Sequence, residues 1–421
     1  MFKKGFAIYL AISLLLTSCS NLENTTSNKK ESLQSQSCQF NYDANLVTLP
    51  HFNQNNYSGW QVDIRGRDLS NLDLKNREFD LINSDFDTFT KWPLKLPKNF
   101  KPEIIMENAK DPGLNISKLH KEGITGKGIN IAIIDGWMPE DHIEYADRLK
   151  LYMSINNYIG YSPKQSHGAA VASIAVGKTL GIAPEANLYY ITAPSTNSSN
   201  QADFSGYAKA IEQIIKINKS LANDNKIRVL AISSGWTPQT QGYIEITKAI
   251  KEASDGGIFV VSSNLFETYS EKFYFYGLKV DALSDRNDVS SYKAVPWSEW
   301  INMCKNRTGF DKYYEKNLDN NPAKEQLLIP IGCKTVANQL DKNSYTFLST
   351  SGWSWGIPYI AGLYALACQV KKDITPDIFW NISLCTGQKQ IIKKNDKFLV
   401  GKIVNPEMLM ERLKSSTTIK P

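Results

Sequence analysis

The 421-residue sequence predicts an α/β protein built on a parallel sheet covered by helices on both faces. Short, continuous apolar runs predict the strands: residues 129–134 (INIAII), 188–191, 227–232 and 258–261. Such runs have the length and all-round apolarity of strands buried on both faces. Helical stretches lie between them, notably residues 207–221 with Ile211, Ile214, Ile215 and Ile217, and strand–helix alternation is the pattern of a parallel sheet. The composition agrees. Hydrophobic residues make up 42% and charged residues 21%, which supports a buried core and excludes a chain disordered throughout. Lys and Arg number 48 against 42 Asp and Glu, a net +6 spread along the chain; no nucleic-acid partner is indicated.

At the N-terminus, Lys3 and Lys4 precede an apolar run at 6–16. The run is too short to cross ~30 Å of hydrocarbon as a helix and reads as an export signal. It ends in Leu16-Thr17-Ser18-Cys19, which resembles the lipobox of bacterial lipoproteins. That resemblance implies removal of residues 1–18, lipid on Cys19, and a protein held at the extracytoplasmic face of the cell membrane, or facing the periplasm where there are two membranes. Residues 19–40 are mostly Asn, Ser, Thr, Lys and Glu and form a flexible tether. Five further cysteines remain, an odd number. Cys368 falls in an apolar helical pattern and reads as a core thiol, while Cys304 and Cys333 could pair, which the sequence leaves open. No C-x-x-C occurs, so no zinc or redox site is expected.

Residues 41–108 form an N-terminal segment. In it Ile64, Leu69, Leu74 and Phe79 recur every fifth position, each after an acid. The spacing is similar to the pentapeptide-repeat pattern, in which one apolar side chain per pentad faces a solenoid axis. An irregular strand-and-turn segment fits the same residues equally well. The Pro- and Lys-rich stretch 93–102 reads as a linker, and residues 110–415 as the main domain.

Three residues there carry chemistry. Asp135 directly follows INIAII, where an open parallel sheet keeps its ligands, beyond the carboxyl ends of its strands. His167 opens a helix of small residues. Ser354 lies in Gly352-Trp353-Ser354-Trp355-Gly356, which fits the G-x-S-x-G nucleophile elbow of α/β-hydrolases. Those enzymes place the histidine after the serine. The four histidines here are His51, His120, His142 and His167, so that reading fails.

The order Asp, His, Ser is that of subtilisin, and the local motifs carry the resemblance. GKGINIAIID resembles the first-strand motif of subtilisin-like proteases (subtilases), where His142 also has a counterpart. SHGAAVASIAVG resembles H-G-T-H-V-A-G-x-x-A-G, and GIAPEANLYYI the strand that follows it. GWSWGIPYIAG is similar, without gaps, to G-T-S-M-A-T-P-H-V-A-G. The resemblance covers about residues 115–412 and implies a subtilisin-like three-layer fold. It implies Asp135, His167 and Ser354 as an acyl-transfer triad, Asn264 as oxyanion donor, Ser233, Ser234 and Gly235 as the strand that pairs with a peptide or protein substrate, and no cofactor. Departures from the pattern are Ala170 for the second histidine, Trp353 for the threonine before the nucleophile, and Ser263 for the glycine before Asn264. The link GKTL (177–180) is too short for the family's calcium loop, so no metal site carries over. The ninety residues from Asn264 to Ser354 suggest an inserted surface loop region. Trp137, Trp236, Trp353 and Trp355 adjoin the motifs, as cleft walls or as ordinary packing. A catalytically silent pseudoprotease that acts as a surface scaffold is the alternative function. A further alternative makes the pentads an interaction module.

Overall fold

Residues 62–96 wind into a parallel ladder. The computed structural model describes residues 46–56, 60–158, 166–269, 272–300, 325–394 and 397–415, all within one compact unit, Tyr42–Pro421; Cys19, Cys38 and Cys304 lie outside the described residues. Parallel bridges join Asp63 to Asp85, Asp68 to Lys91 and Asp73 to Lys95. Every fifth residue closes a turn, with the Arg67, Leu72 and Arg77 amides donating to the Ile64, Leu69 and Leu74 carbonyls. Ile64, Leu69 and Leu74 point inward and are at most 2% exposed, as the pentad spacing predicts. The fourth pentad departs from it. Glu78–Ile82 turns helical, which rotates Phe79 outward and brings Leu81 in. The predicted linker is also part of the packed structure: Phe100 is buried against Phe86 and Trp92. From this ladder leaves β1 (Phe86–Asp87).

The central sheet comprises β2 (Asn130–Asp135), β3 (Leu149–Ser154), β4 (Asn187–Thr192), β5 (Ile227–Ile232) and β6 (Phe259–Ser262), in the order β3-β4-β2-β5-β6 and parallel throughout. Four of the five begin and end within one residue of the apolar runs. Only β3 escapes the pattern, because it is an edge strand of half-buried residues. Alternate residues of the strands feed two cores. Ala132, Ile134, Leu230 and Val260 pack with Ile211, Ile214, Ile246 and Ile250 of the amphipathic helices Ser205–Ser220 and Tyr243–Asp255. Ile131, Ile133, Val229 and Val261 pack on the other face with Val171, Ala175, Ile357 and Ala361 of the helices His167–Val176 and Trp353–Val370. Each buried Ile or Val contributes about 1.5–3 kcal/mol. The three layers follow from this two-residue alternation.

The segment between Asn264 and Ser354 is not a surface loop in its described part. It supplies β7 (Phe275–Lys279), β8 (Lys293–Ala294), β9 (Glu325–Pro330), β10 (Lys334–Ala337) and β11 (Tyr345–Leu348). With β12 (Gln388–Lys394) and β13 (Lys397–Ile403), a second sheet runs β12-β13-β9-β7-β8. The antiparallel pair β10–β11 gains β1 as a third strand, with Phe86 opposite Phe347. The N-terminal segment is thereby joined to the strand that leads to Ser354. Cys333 and Cys368 are buried free thiols and Cys385 an exposed one; burial pushes the Cys368 thiol up to about 12.

One buried cation in this region is costly. Lys334 on β10 is 5% exposed, with its ammonium 5.2 Å from the Tyr359 ring centroid. Burial, reinforced by the Arg286 charge, pushes it down to about 7. A depressed amine pKa means that the unfolded chain binds the extra proton between about pH 7 and 10.5, so stability rises with pH across that window. Lys334→Met should therefore raise the melting temperature at pH 7, by about 2–4 °C for each kcal/mol relieved. Its advantage should shrink by pH 10, and an unchanged or lower melting temperature at pH 7 would contradict this account.

Candidate active site

Asp135 ends β2, its side chain 4% exposed. Its Oδ1 accepts from His167 Nδ1 at 2.7 Å and from the Gly136 amide at 2.7 Å. Oδ2 is buried with no hydrogen-bond partner among the described residues. The geometry suits an Nδ1–H donating to the Asp135 oxygen, and in the neutral ring with that tautomer Nε2 is the acceptor nitrogen. His167 begins its helix, 38% exposed at the side chain, and packs on Trp355 with ring centroids 5.3 Å apart.

Ser354 is the second residue of its helix. Pro358, four residues on, has no N–H, so the Ser354 carbonyl lacks its helical donor. Ser233 Oγ supplies one instead, at 2.9 Å. Ser354 Oγ donates back to the Ser233 carbonyl at 3.3 Å, a long and hence weak bond. This reciprocal pair ties the end of β5 to the start of the helix. The Trp355 amide turns back onto the Gly352 carbonyl, and the positive end of the helix dipole favours negative charge at that end.

These residues share a cleft of about 480 Å³. Asp135, His167 and Ser354 line it with Ser233, Ser234 and Gly235, and its aromatic walls are Trp137, Tyr158, Phe204, Tyr207 and Trp236. Asp135 is the one carboxylic acid and His167 the one imidazole among the residues of that lining. Of the four tryptophans, two therefore face the cleft. Trp353 and Trp355 are outside its lining: they are 9% and 7% exposed, Trp353 against Trp300 and Trp355 against His167. Tyr158, Phe204 and Tyr207 had no signal in the sequence, since helix patterning accounts for Tyr207 without a site.

Asn264 is not part of that lining. It is 1% exposed, its Nδ2 donates to the Trp236 carbonyl at 2.6 Å, and its Oδ1 accepts from the Trp236 amide at 3.3 Å. In this arrangement it braces the Ser233–Trp236 edge. His142 is fully buried and lies outside the cleft lining. Its Nε2 donates to the Ser344 carbonyl and its Nδ1 accepts from the Glu144 amide, the neutral tautomer that burial favours by pushing its pKa down.

Residues 126–265 match the family model described as Subtilase family, peptidase S8. The matched stretch includes Asp135, His167, Ser233–Gly235 and Asn264, and ends before Ser354. The chain is similar to the minor extracellular protease Epr of Bacillus subtilis (strain 168), 25% identical over 193 residues, covering 43% of this chain and 27% of that protein. It is also similar to the subtilisin-like serine protease Cur l 4.0101 of Cochliobolus lunatus, 24% identical over 259 residues, covering 59% of this chain and 45% of that protein. The chain thus spans less than half the length of these relatives. Among solved structures, the prenylagaramide maturation protease PagA has a TM-score of 0.47 at 18% identity, covering 72% of this chain and 99% of that one.

Within the stretch that matches the subtilase family model, Gly168 sets how closely the His167 helix approaches β2. A Cβ there would fall 2.7 Å from the Gly136 carbonyl oxygen and 2.8 Å from that of Trp137, and would strike Tyr190 Oη as well. Gly168→Ala should push His167 away from Asp135 and destabilise the fold by about 1–3 kcal/mol. The downfield proton NMR resonance of the bonded His167 Nδ1–H should disappear; a variant that keeps that resonance and its melting temperature would show the approach is not tight.

Proposed function

We propose that the chain is a lipid-anchored serine endopeptidase that cuts peptide bonds through Asp135, His167 and Ser354. The observation that carries this reading is the 2.7 Å bond from His167 to buried Asp135 on the wall of the cleft that holds Ser354. Ser354 Oγ attacks the scissile carbonyl carbon, and the carbonyl electron pair moves to oxygen. His167 Nε2 takes the hydroxyl proton and later gives it to the leaving amine, as Asp135 stabilises the imidazolium. Water then repeats the sequence on the acyl-enzyme and regenerates Ser354. The Ser233–Gly235 edge pairs with the substrate backbone. Aromatic walls without other charges favour uncharged, apolar side chains beside the cut.

The amides of the first helical turn and Asn264 are assigned to the oxyanion. For Asn264 this requires that its amide turn from the Trp236 carbonyl towards the oxyanion. Loss of one oxyanion donor typically costs about 10²–10³ in kcat. The engagement of Asn264 is also the observation that favours the silent-scaffold reading. A fluorophosphonate probe separates the two, because it marks a serine only when a base activates it.

The full chain should label at neutral pH, Ser354→Ala should not, His167→Ala should barely label, and Asp135→Asn should be strongly slowed through the wrong histidine tautomer. Asn264→Leu should label more slowly than wild type. Folded wild-type protein that stays unlabelled would leave the scaffold reading standing. The lipobox supports anchoring through Cys19: Cys19→Ala should move the protein from the membrane to the soluble fraction, and equal incorporation of a palmitate analogue into both forms would refute it.

A further inference from the structure

The Asp63–Asp85 rung of the ladder carries a buried acid aimed at the residues before Ser354. Asp85 is 1% exposed. Its backbone is fixed on the ladder side, donating to the Val62 carbonyl and accepting from the Ile64 amide. Its side chain reaches across to the residues that follow β11. Oδ1 accepts from the Ser349 amide at 2.7 Å, the Ser349 hydroxyl at 3.2 Å and the Thr350 amide at 3.1 Å, and Oδ2 accepts from the Thr350 hydroxyl at 2.7 Å. Beyond that grip, the Gly352 amide donates to the Ile331 carbonyl and Ser354 is cross-bonded to Ser233. The run 349–354 is thus held at three points. One of the three belongs to the N-terminal segment.

We propose that Asp85 is a positioning residue for Ser354, and that residues 60–100 are a working part of the active form rather than a segment removed from it. The proposal rests on the protease reading above. Pairing of β1 with β11 places Asp85 opposite the end of β11, one residue short of Ser349. The Phe86 ring packs tilted against Phe347 with centroids 4.9 Å apart and fixes that register. Keeping such a carboxyl buried is unfavourable: burial pushes it up to about 6, against the pull of the Thr350 hydrogen bonds. Four donors converging on one acid offset that cost and hold two consecutive residues in a single geometry. The Ser354 helix then starts from a fixed point, as a nucleophile needs to be held close to its attack geometry.

The experiment compares fluorophosphonate labelling of the full chain with Asp85→Ala and Asp85→Asn, scoring rate and final labelled fraction separately. Asparagine keeps an acceptor at Oδ1 and can donate to the Thr350 hydroxyl, so it is the conservative variant. Asp85→Ala should still reach full labelling, with a rate constant at least about tenfold lower, and Asp85→Asn should return to within a few-fold of wild type. With a peptide substrate the loss should fall on kcat, with KM little changed because the Ser233–Gly235 edge is intact. A purely structural role would lower the labelled fraction and leave the rate per site unchanged; that result overturns the proposal. So would a labelled wild-type species whose mass places its N-terminus near Gly126. If Asp85→Ala does not fold, the double variant Ser349→Ala, Thr350→Val removes two of the four donors from the other side and should show the same rate loss. Wild type that never labels would instead overturn the protease reading. Hydrogen exchange at the Ser349 and Thr350 amides, protected in wild type and faster in Asp85→Ala, then tests the grip itself.

Discussion

The site depends on how closely two buried helices can approach the sheet and each other. His167–Val176 and Trp353–Val370 are apolar almost all round and rich in Ala and Gly. A Cβ on Gly362 would fall within 3.3 Å of the Ala175 carbonyl oxygen, and closer still to Ile182; a larger residue would force the helices apart. Gly168 does the same between the His167 helix and the turn after β2. Both helices begin at the carboxyl edge of the parallel strands, so His167 and Ser354 emerge beside Asp135. Interiors packed this tightly transmit displacement rather than absorb it, so the 2.7 Å Asp135–His167 bond depends on Gly168 beside His167 and on Gly362 about two turns along the Ser354 helix.

A second constraint comes from the backbone accounting around Ser354. Pro358 withholds a helical donor and Ser233 supplies one, so a defect in the helix becomes a tie between β5 and the helix start. Asp85 adds a tie from the ladder, and Ile331 one from the end of β9. Three different parts of the chain therefore converge on six residues. The pentads are joined to the domain through β1, a short strand that leaves little of its own edge unpaired, and this is a different arrangement from a separate interaction module on a linker.

Much of the fold was legible because buried parallel strands are written as unbroken apolar runs: β2, β4, β5 and β6 lie within a residue of theirs. Edge strand β3 was hidden because half-buried strands carry Lys150 and Tyr152 alongside Leu and Met. The strands between Asn264 and Ser354 were missed for another reason. That region mixes Tyr, Lys and Asp, and its meaning comes from pairing partners far away in sequence, such as Phe86 with Phe347. At the site, motif residues stood where strand ends and helix starts place them. What no motif disclosed were side chains defined by long-range contact: Asp85, which looks like one more acid in an acidic repeat, and Phe204 and Tyr207, which look like ordinary helix flanks. Asn264 shows the converse, since its place in a motif did not reveal that Trp236 would hold its amide.

The claim at the centre of this account is that Ser354 becomes covalently acylated by a substrate because His167, held by Asp135, takes its proton. The most direct measurement is a rapid-mixing experiment on the full chain with an activated ester of an apolar acyl group, quenched in acid and followed by mass analysis of the peptide that contains Ser354. The account requires a product burst equal in amount to the folded protein, with the acyl mass on Ser354 during the burst. Product release that is linear from time zero, with no adduct on Ser354 at any time, would contradict it.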